Sequence, residues 1–208
     1  MNFNNFTIKS QEAVQQAIQM VQNRGQQAIE AEHMLAGVLK VGENVTNFLF
    51  QKLGLNGTQI NNVLDKHISS LPKVSGGEPY LSRTANEVLQ KAIEFSKGMG
   101  DEYVSLEALL LALLNVKSTA STILKDAGMN EKDLRSAINE LRQKSKEERT
   151  RYNELVEKFK TTTNKEEKAK IKQEVTSICR RVKAYDELYV CAKVRISELQ
   201  KTATIIKK

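Results

Sequence analysis

The chain has 208 residues, with 32 Lys and Arg against 25 Asp and Glu, a formal charge of +7. That length holds one good core, or one domain with an appendage. Aromatic residues make up 5%, Trp is absent and only two Pro occur, a composition that points to helix nearly throughout and excludes a Pro- or Gly-punctuated fold.

The charge is uneven. Residues 1–141 carry 13 basic and 15 acidic side chains, a net of −2, while residues 142–208 carry 19 and 10, a net of +9. A near-neutral module precedes a basic tail, and only the tail invites an acidic partner. No charged-then-apolar signal opens the chain and no apolar run approaches the length of a membrane span, so the expectation is a soluble, cytoplasmic protein with no membrane partner.

In chain order, the first helix carries Ala13, Val14, Ala17, Ile18 and Val21 at helical spacing and stops at Gly25. A second helix is predicted over residues 32–40, with Leu35, Val38 and Leu39 inward. A third covers residues 45–53 and closes on Gly54. Asn56, with Gln59 at the N3 position, then opens a fourth as a capping box.

The same plan then recurs. Ser82 caps a helix carrying Val88, Leu89, Ala92, Ile93 and Phe95, and Ser105 caps residues 106–114. Residues 118–127 follow, closed by Gly128, and Asn130 with Asp133 opens the last helix of the copy. Matched positions, among them Phe6 and Leu81, Ile29 and Val104, Glu32 and Glu107, lie 75 apart up to Leu39 and Leu114, then 74 apart. Repeat 1 spans about residues 6–70 and repeat 2 about 81–143. One copy cannot bury its apolar faces alone. The expected fold is therefore all-α: two four-helix repeats packed as a pseudo-twofold pair, joined by an exposed connection over residues 71–79.

Residues 144–208 read differently. Ile171, Val175, Ile178, Val182, Tyr185, Tyr189, Ala192, Ile196 and Leu199 follow a 4-3-4-3 spacing, the seam of a coiled coil. Upstream, Leu134, Ile138, Leu141, Tyr152, Leu155 and Phe159 keep that spacing, with a polar break at Ser145 and Glu148. Asn164 and Glu167 form another capping-box pattern after a short interruption. The expectation is a long antiparallel helical hairpin turning near Thr162 and returning to about Ala203. Its exposed seam would offer a route to a homo-oligomer.

The duplicated part resembles the Clp N-terminal domain, the Clp repeat domain at the front of Clp-type AAA+ unfoldases. The residues that carry the resemblance are Phe6-Thr7, Ser10, Ala13 and Ala17; Glu32-His33-Met34-Leu35; Gly42-Glu-Asn-Val45; Leu53-Gly54; and Gly100-Asp-Glu-Tyr-Val-Ser-Leu-Glu107. Leu71-Pro-Lys-Val-Ser-Gly-Gly-Glu78 makes it most similar in look to ClpB-type disaggregases. The resemblance covers about residues 3–143. It implies a non-catalytic, cofactor-free module that captures unfolded or aggregated polypeptide, or an adaptor, and hands it to a AAA+ ATPase.

By position, Thr7, Asp101 and Glu107 match the polar residues of the family's contact groove, and Leu89, Ile93 and Leu110 fall at or near its floor. Carboxylates around an apolar floor would favour basic, hydrophobic segments. Helix capping and dipole charging explain Thr7, Asp101 and Glu107 equally well at this point. The chain has no G-x-x-x-x-G-K-[ST] phosphate loop, so the resemblance extends to recognition and not to ATP hydrolysis.

Other constellations reduce to structure. His33 reads as a helix-packing residue, since its duplicate position is Ala108. Cys179 and Cys191 lie twelve apart on one predicted helix, roughly 18 Å, too far for a disulfide and at no metal-ligand spacing. Nucleic-acid binding by the basic tail is the weaker reading, because Glu166, Glu167 and Glu174 interleave with its lysines and its aromatics fall on the seam.

Overall fold

The computed structural model describes residues 3–74 and 76–185, with side chains as far as residue 181. The chain divides between Asn139 and Glu140 into two units.

The first unit is all-α but for two short parallel pairings. It contains α1 (Ile8–Asn23), β1 (Ala28–Ile29), α2 (Ala31–Val41), α3 (Glu43–Leu53), α4 (Gly57–Ser70), β2 (Tyr80–Leu81), α5 (Arg83–Gly98), α6 (Leu106–Asn115), α7 (Thr119–Asp126) and the start of α8 (Glu131–Thr161). The eight helices fall on the two predicted sets of four. The predicted caps form: Thr7, Asn56, Ser82 and Ser105 each accept from the backbone N–H three residues on, and Ser118, not singled out in the sequence, does the same. Each cap satisfies a donor that the helix leaves orphaned.

Burial explains why α2 and α6 are central. In α6 every residue from Leu106 to Leu114 is buried, and α2 buries Ala31 to Leu35 and Gly37 to Leu39. A helix apolar all round must be enclosed, and α1 and α5 pack on them from outside. Gly37 marks the closest approach: a Cβ there would lie 2.2 Å from the Ala13 carbonyl oxygen. The duplicate position is Ala112, so α1 and α2 need the glycine where α5 and α6 do not.

The two repeats are tied by reciprocal strand exchange. β1 pairs in parallel with β2, Ala28 beside Tyr80 and Ile29 beside Leu81, and an isolated parallel bridge joins Phe6 to Val104. Phe6 duplicates Leu81 and Ile29 duplicates Val104. The segment that leads into each repeat therefore pairs with the α1–α2-type connection of the other. The hydrogen bonds repeat too: Thr7 N–H donates to Val104 O and Ser82 N–H to Ile29 O, both at 3.0 Å. Neither repeat completes its own backbone pairing, which makes the pseudo-twofold pair one cooperative body.

The second unit is the expected hairpin. α8 ends at Thr161 and α9 covers Lys165–Tyr185. Tyr152, Leu155, Val156, Ile171, Val175, Ile178 and Cys179 form its buried core, with Phe159 packed against it. Of the predicted seam, Ile171, Val175 and Ile178 are in that core. Val182 and Tyr185 continue α9, with their side chains outside the described residues, and Tyr189, Ala192, Ile196 and Leu199 lie outside them altogether.

Ion pairs cross the hairpin at Arg151–Glu174, Lys158–Glu167 and Arg181–Glu148. Partner numbers fall on one helix as they rise on the other, the signature of antiparallel pairing. Arg181 reaches both carboxylate oxygens of Glu148, so the polar break in the seam is filled by a forked charge-assisted contact. The predicted box at Asn164 is only half formed. Asn164 Oδ1 accepts from Glu166 and Glu167 N–H, but the Glu167 carboxylate turns to Lys158 and Thr162. Those two partners hold it below its ordinary pKa, first through their hydrogen bonds.

Candidate functional site

The Phe6–Val104 bridge assembles the predicted polar residues. Thr7 N–H donates to Val104 O at 3.0 Å, and Val104 N–H donates to Asn5 O at 2.8 Å. That sets the start of α1 beside the loop that leads into α6. Gly100, at φ +76°, turns the chain out of α5, a conformation open to glycine at no steric cost. Buried Ser96 then shapes the loop: its hydroxyl is shared between Asp101 O at 3.3 Å and Tyr103 O at 2.9 Å. Thr7, Asp101 and the first turn of α6 with Glu107 are brought to one neighbourhood.

The individual roles differ. Thr7 Oγ1 accepts from Ser10 N–H at 3.2 Å and donates to buried Ser10 Oγ at 2.9 Å. It caps α1, and only part of it faces solvent. Glu107 lies in the first turn of α6, where Ser105 already provides the cap, and is 9% exposed. Its duplicate Glu32 is just as withdrawn at the start of α2. Both carboxylates sit at the positive end of a helix dipole. Asp101 is half-buried beside exposed Glu102.

The apolar expectations divide. Leu89 and Leu110 are core residues with 0% and 1% exposure. They offer no surface to touch. Ile93 alone of the three reaches solvent in part. Two residues absent from the sequence reading supply the accessible apolar surface instead: Ile8 at 58% exposure and Tyr103 at 46%. Tyr103 adjoins Val104, and Ile8 follows Phe6 by two residues. Comparing the repeats could have found them, since Ile8 duplicates Arg83 and Tyr103 duplicates Ala28.

The duplicate of Asp101 is Gln26, and its surroundings are closed. His33 is fully buried, its Nδ1 accepts from Glu30 N–H at 3.0 Å, and its Nε2 meets Gln26 Oε1 at 2.9 Å. Gln26 Nε2 donates onward to the Ile68 carbonyl at 2.6 Å. Burial first, and the nearby Arg24 charge second, lower the His33 pKa from 6.5 to about 4. His33 is thus a packing residue, as expected, and also half of a capping box with Glu30. Repeat 1 locks its loop through this relay, whereas repeat 2 hangs the matching loop from Ser96 and leaves Asp101 half-buried.

Among the described residues no group of three or more His, Cys, Asp and Glu side chains is placed to hold a metal ion. No single described helix is long and apolar enough to cross a membrane.

Comparison with known proteins matches this geometry to one family. The profile of the Clp repeat (R) N-terminal domain matches residues 5–127. The chaperone protein ClpB of Bacteroides thetaiotaomicron is 75% identical over 146 residues, covering 70% of this chain and 17% of that protein. The chain therefore spans about a sixth of that relative's length. Among solved structures, the Hsp104 N-terminal domain from Candida albicans superposes with a TM-score of 0.58 at 21% identity, over 64% of this chain and 89% of that one. A ClpV N-domain in complex with a VipB peptide gives 0.53 at 20% identity, over 64% and 83%.

Proposed function

Because the chain belongs to the Clp repeat N-terminal domain family, we propose that residues 1–143 form a non-catalytic polypeptide-binding module. Its clients are unfolded or aggregated segments, or an adaptor, delivered to a Clp-type AAA+ ATPase in the cytoplasm. The observation that carries the proposal is the Phe6–Val104 bridge, which joins the segment holding Thr7 and exposed Ile8 to the segment holding Asp101 and exposed Tyr103, just ahead of Glu107. An apolar patch near the half-buried Asp101 carboxylate suits basic, hydrophobic segments by charge complementarity. The ClpV N-domain seen with a VipB peptide supports the class of partner.

The described part of the hairpin buries its seam within the chain and engages Glu148, Glu167 and Glu174 in cross-helix ion pairs. Neither self-association nor nucleic-acid binding is therefore the reading adopted.

The test is fluorescence anisotropy with a labelled, permanently unfolded protein such as casein. Asp101→Ala/Glu107→Ala is expected to weaken binding about tenfold, close to 1.4 kcal/mol. Unchanged affinity in a folded double variant would remove the face from consideration.

A further inference from the structure

Asn56 and Gly57 open α4, and no other asparagine in the chain is followed by glycine. The fold has a use for each residue. Asn56 is the N-cap, its Oδ1 accepting from Gln59 N–H at 3.1 Å. Gly57 faces Phe50, where a Cβ would lie 3.0 Å from the ring, so the position favours the residue without one. A cap suited to asparagine and a contact suited to glycine together create the dipeptide.

That pair has chemistry of its own. Gly57 N–H is the first of the helix and has no intrahelical partner. With no Cβ beside it, the nitrogen is open to approach and the backbone turns freely. The nitrogen can attack Asn56 Cγ, forming an N–Cγ bond as the Cγ–Nδ2 bond breaks. The Gly57 amide proton leaves with Nδ2 as ammonia, and a five-membered succinimide remains. Water then opens the ring. Cleavage of N–Cγ gives aspartate. Cleavage of the bond to the Asn56 main-chain carbon routes the chain through Cγ and gives isoaspartate.

The folded backbone holds the reacting atoms apart. At ψ +96° the Gly57 nitrogen and Asn56 Cβ stand on nearly opposite sides of the Cα–C bond, so ring closure needs a large rotation about it. That rotation breaks the bond from Gln59 N–H and unwinds the first turn of α4. Asn56 is exposed, so the cap, and not burial, is what restrains it. Repeat 2 supplies an internal comparison. Asn130 caps the duplicate helix in the same way, accepting from Asp133 N–H at 3.0 Å. There the next residue is Glu131, and Asn130 Nδ2 is also held by the Asp133 carboxylate at 2.7 Å.

We propose that Asn56–Gly57 is a fold-gated modification site, where asparagine converts to aspartate and isoaspartate when the first turn of α4 opens. The two products act differently. Aspartate keeps an acceptor for Gln59 N–H and adds a charge at the positive end of the helix. Isoaspartate adds a methylene to the main chain at the cap, and the first turn loses its register where α4 packs on α2 and α7. The carboxylate it exposes is the substrate class of an isoaspartyl-directed methyltransferase. An opening that ends in isoaspartate is therefore recorded covalently.

The test follows the full chain in mildly alkaline buffer, folded and in urea. Peptide mapping reads the exchange of amide for carboxyl at each asparagine, and enzymatic carboxyl methylation counts isoaspartate. In urea Asn56 is expected to convert at least about tenfold faster than Asn130. Folding should slow Asn56 at least about tenfold relative to urea. Glu131→Gly should bring Asn130 in urea up to the rate of Asn56, and Asn56→Ser, which keeps a cap, should remove the methylation signal from its peptide. Equal rates at Asn56 and Asn130 in urea would overturn the site. Equal rates at Asn56 with and without urea would overturn the gate.

Discussion

Acid should remove the stability that neutral His33 provides, and replacing His33 should remove the acid sensitivity. The fold favours the neutral ring for a geometric reason. Nδ1 accepts from Glu30 N–H while Nε2 faces the Gln26 carbonyl oxygen, so a second ring proton would set two donors face to face. With the pKa lowered from 6.5 to about 4, the contribution is fully present above the unfolded value and is lost as pH falls through the window between the two. At about 1.4 kcal/mol per unit the shift corresponds to roughly 3 kcal/mol at most.

His33→Ala, which copies Ala108, should cost about 3 kcal/mol near neutral pH, from the buried hydrogen bonds and the cavity left behind. Urea unfolding of both proteins across the pH series isolates the histidine, because the carboxylates titrate in each. The wild-type advantage should shrink by roughly 3 kcal/mol as pH falls from about 6.5 to about 4. A constant advantage, or a His33 ring titrating near its ordinary value by NMR, would refute the reasoning.

Two further outcomes follow from packing and charge. Gly37→Ala should destabilise by at least about 2 kcal/mol, despite alanine's better helix propensity, because its Cβ would meet the Ala13 carbonyl 2.2 Å away; calorimetry reads this as a lower Tm, and the reverse change Ala112→Gly should show no comparable gain. In the hairpin, Glu148→Ala should cost no more than about 1 kcal/mol, since Arg181 is 47% exposed. Replacing both partners by Leu should recover that loss, read as the midpoint of a thermal melt followed by circular dichroism.

Most of the helices were legible because they carry a local signal, a serine, threonine or asparagine cap followed by a 3.6-residue stripe. What escaped has no local signal. The parallel pairing of Ala28–Ile29 with Tyr80–Leu81 joins two residues to two residues far along the chain, too short for any periodicity. The α2 cap escaped because Glu30 is a poor cap by propensity, and only the buried His33 completes it. Leu89 and Leu110 were placed at the groove floor by matching positions to the family. A positional match does not separate a deep core from a floor within reach of a partner. Ile8 was passed over for the converse reason: a single apolar residue just after a cap carries no pattern.

Divergence between duplicated positions is the better guide to function here, because the fold holds the surroundings constant. Gln26 and Asp101 occupy the same place after a left-handed glycine, and both backbone N–H groups donate to the end of the preceding helix, to Val21 O and Ser96 O. In repeat 1 the side chain is 6% exposed and held by His33. In repeat 2 the histidine is Ala108, and a buried serine has taken over the task of holding the loop. With the loop held by Ser96, the position of Gln26 can take an acidic residue in repeat 2 without loss of the shared fold.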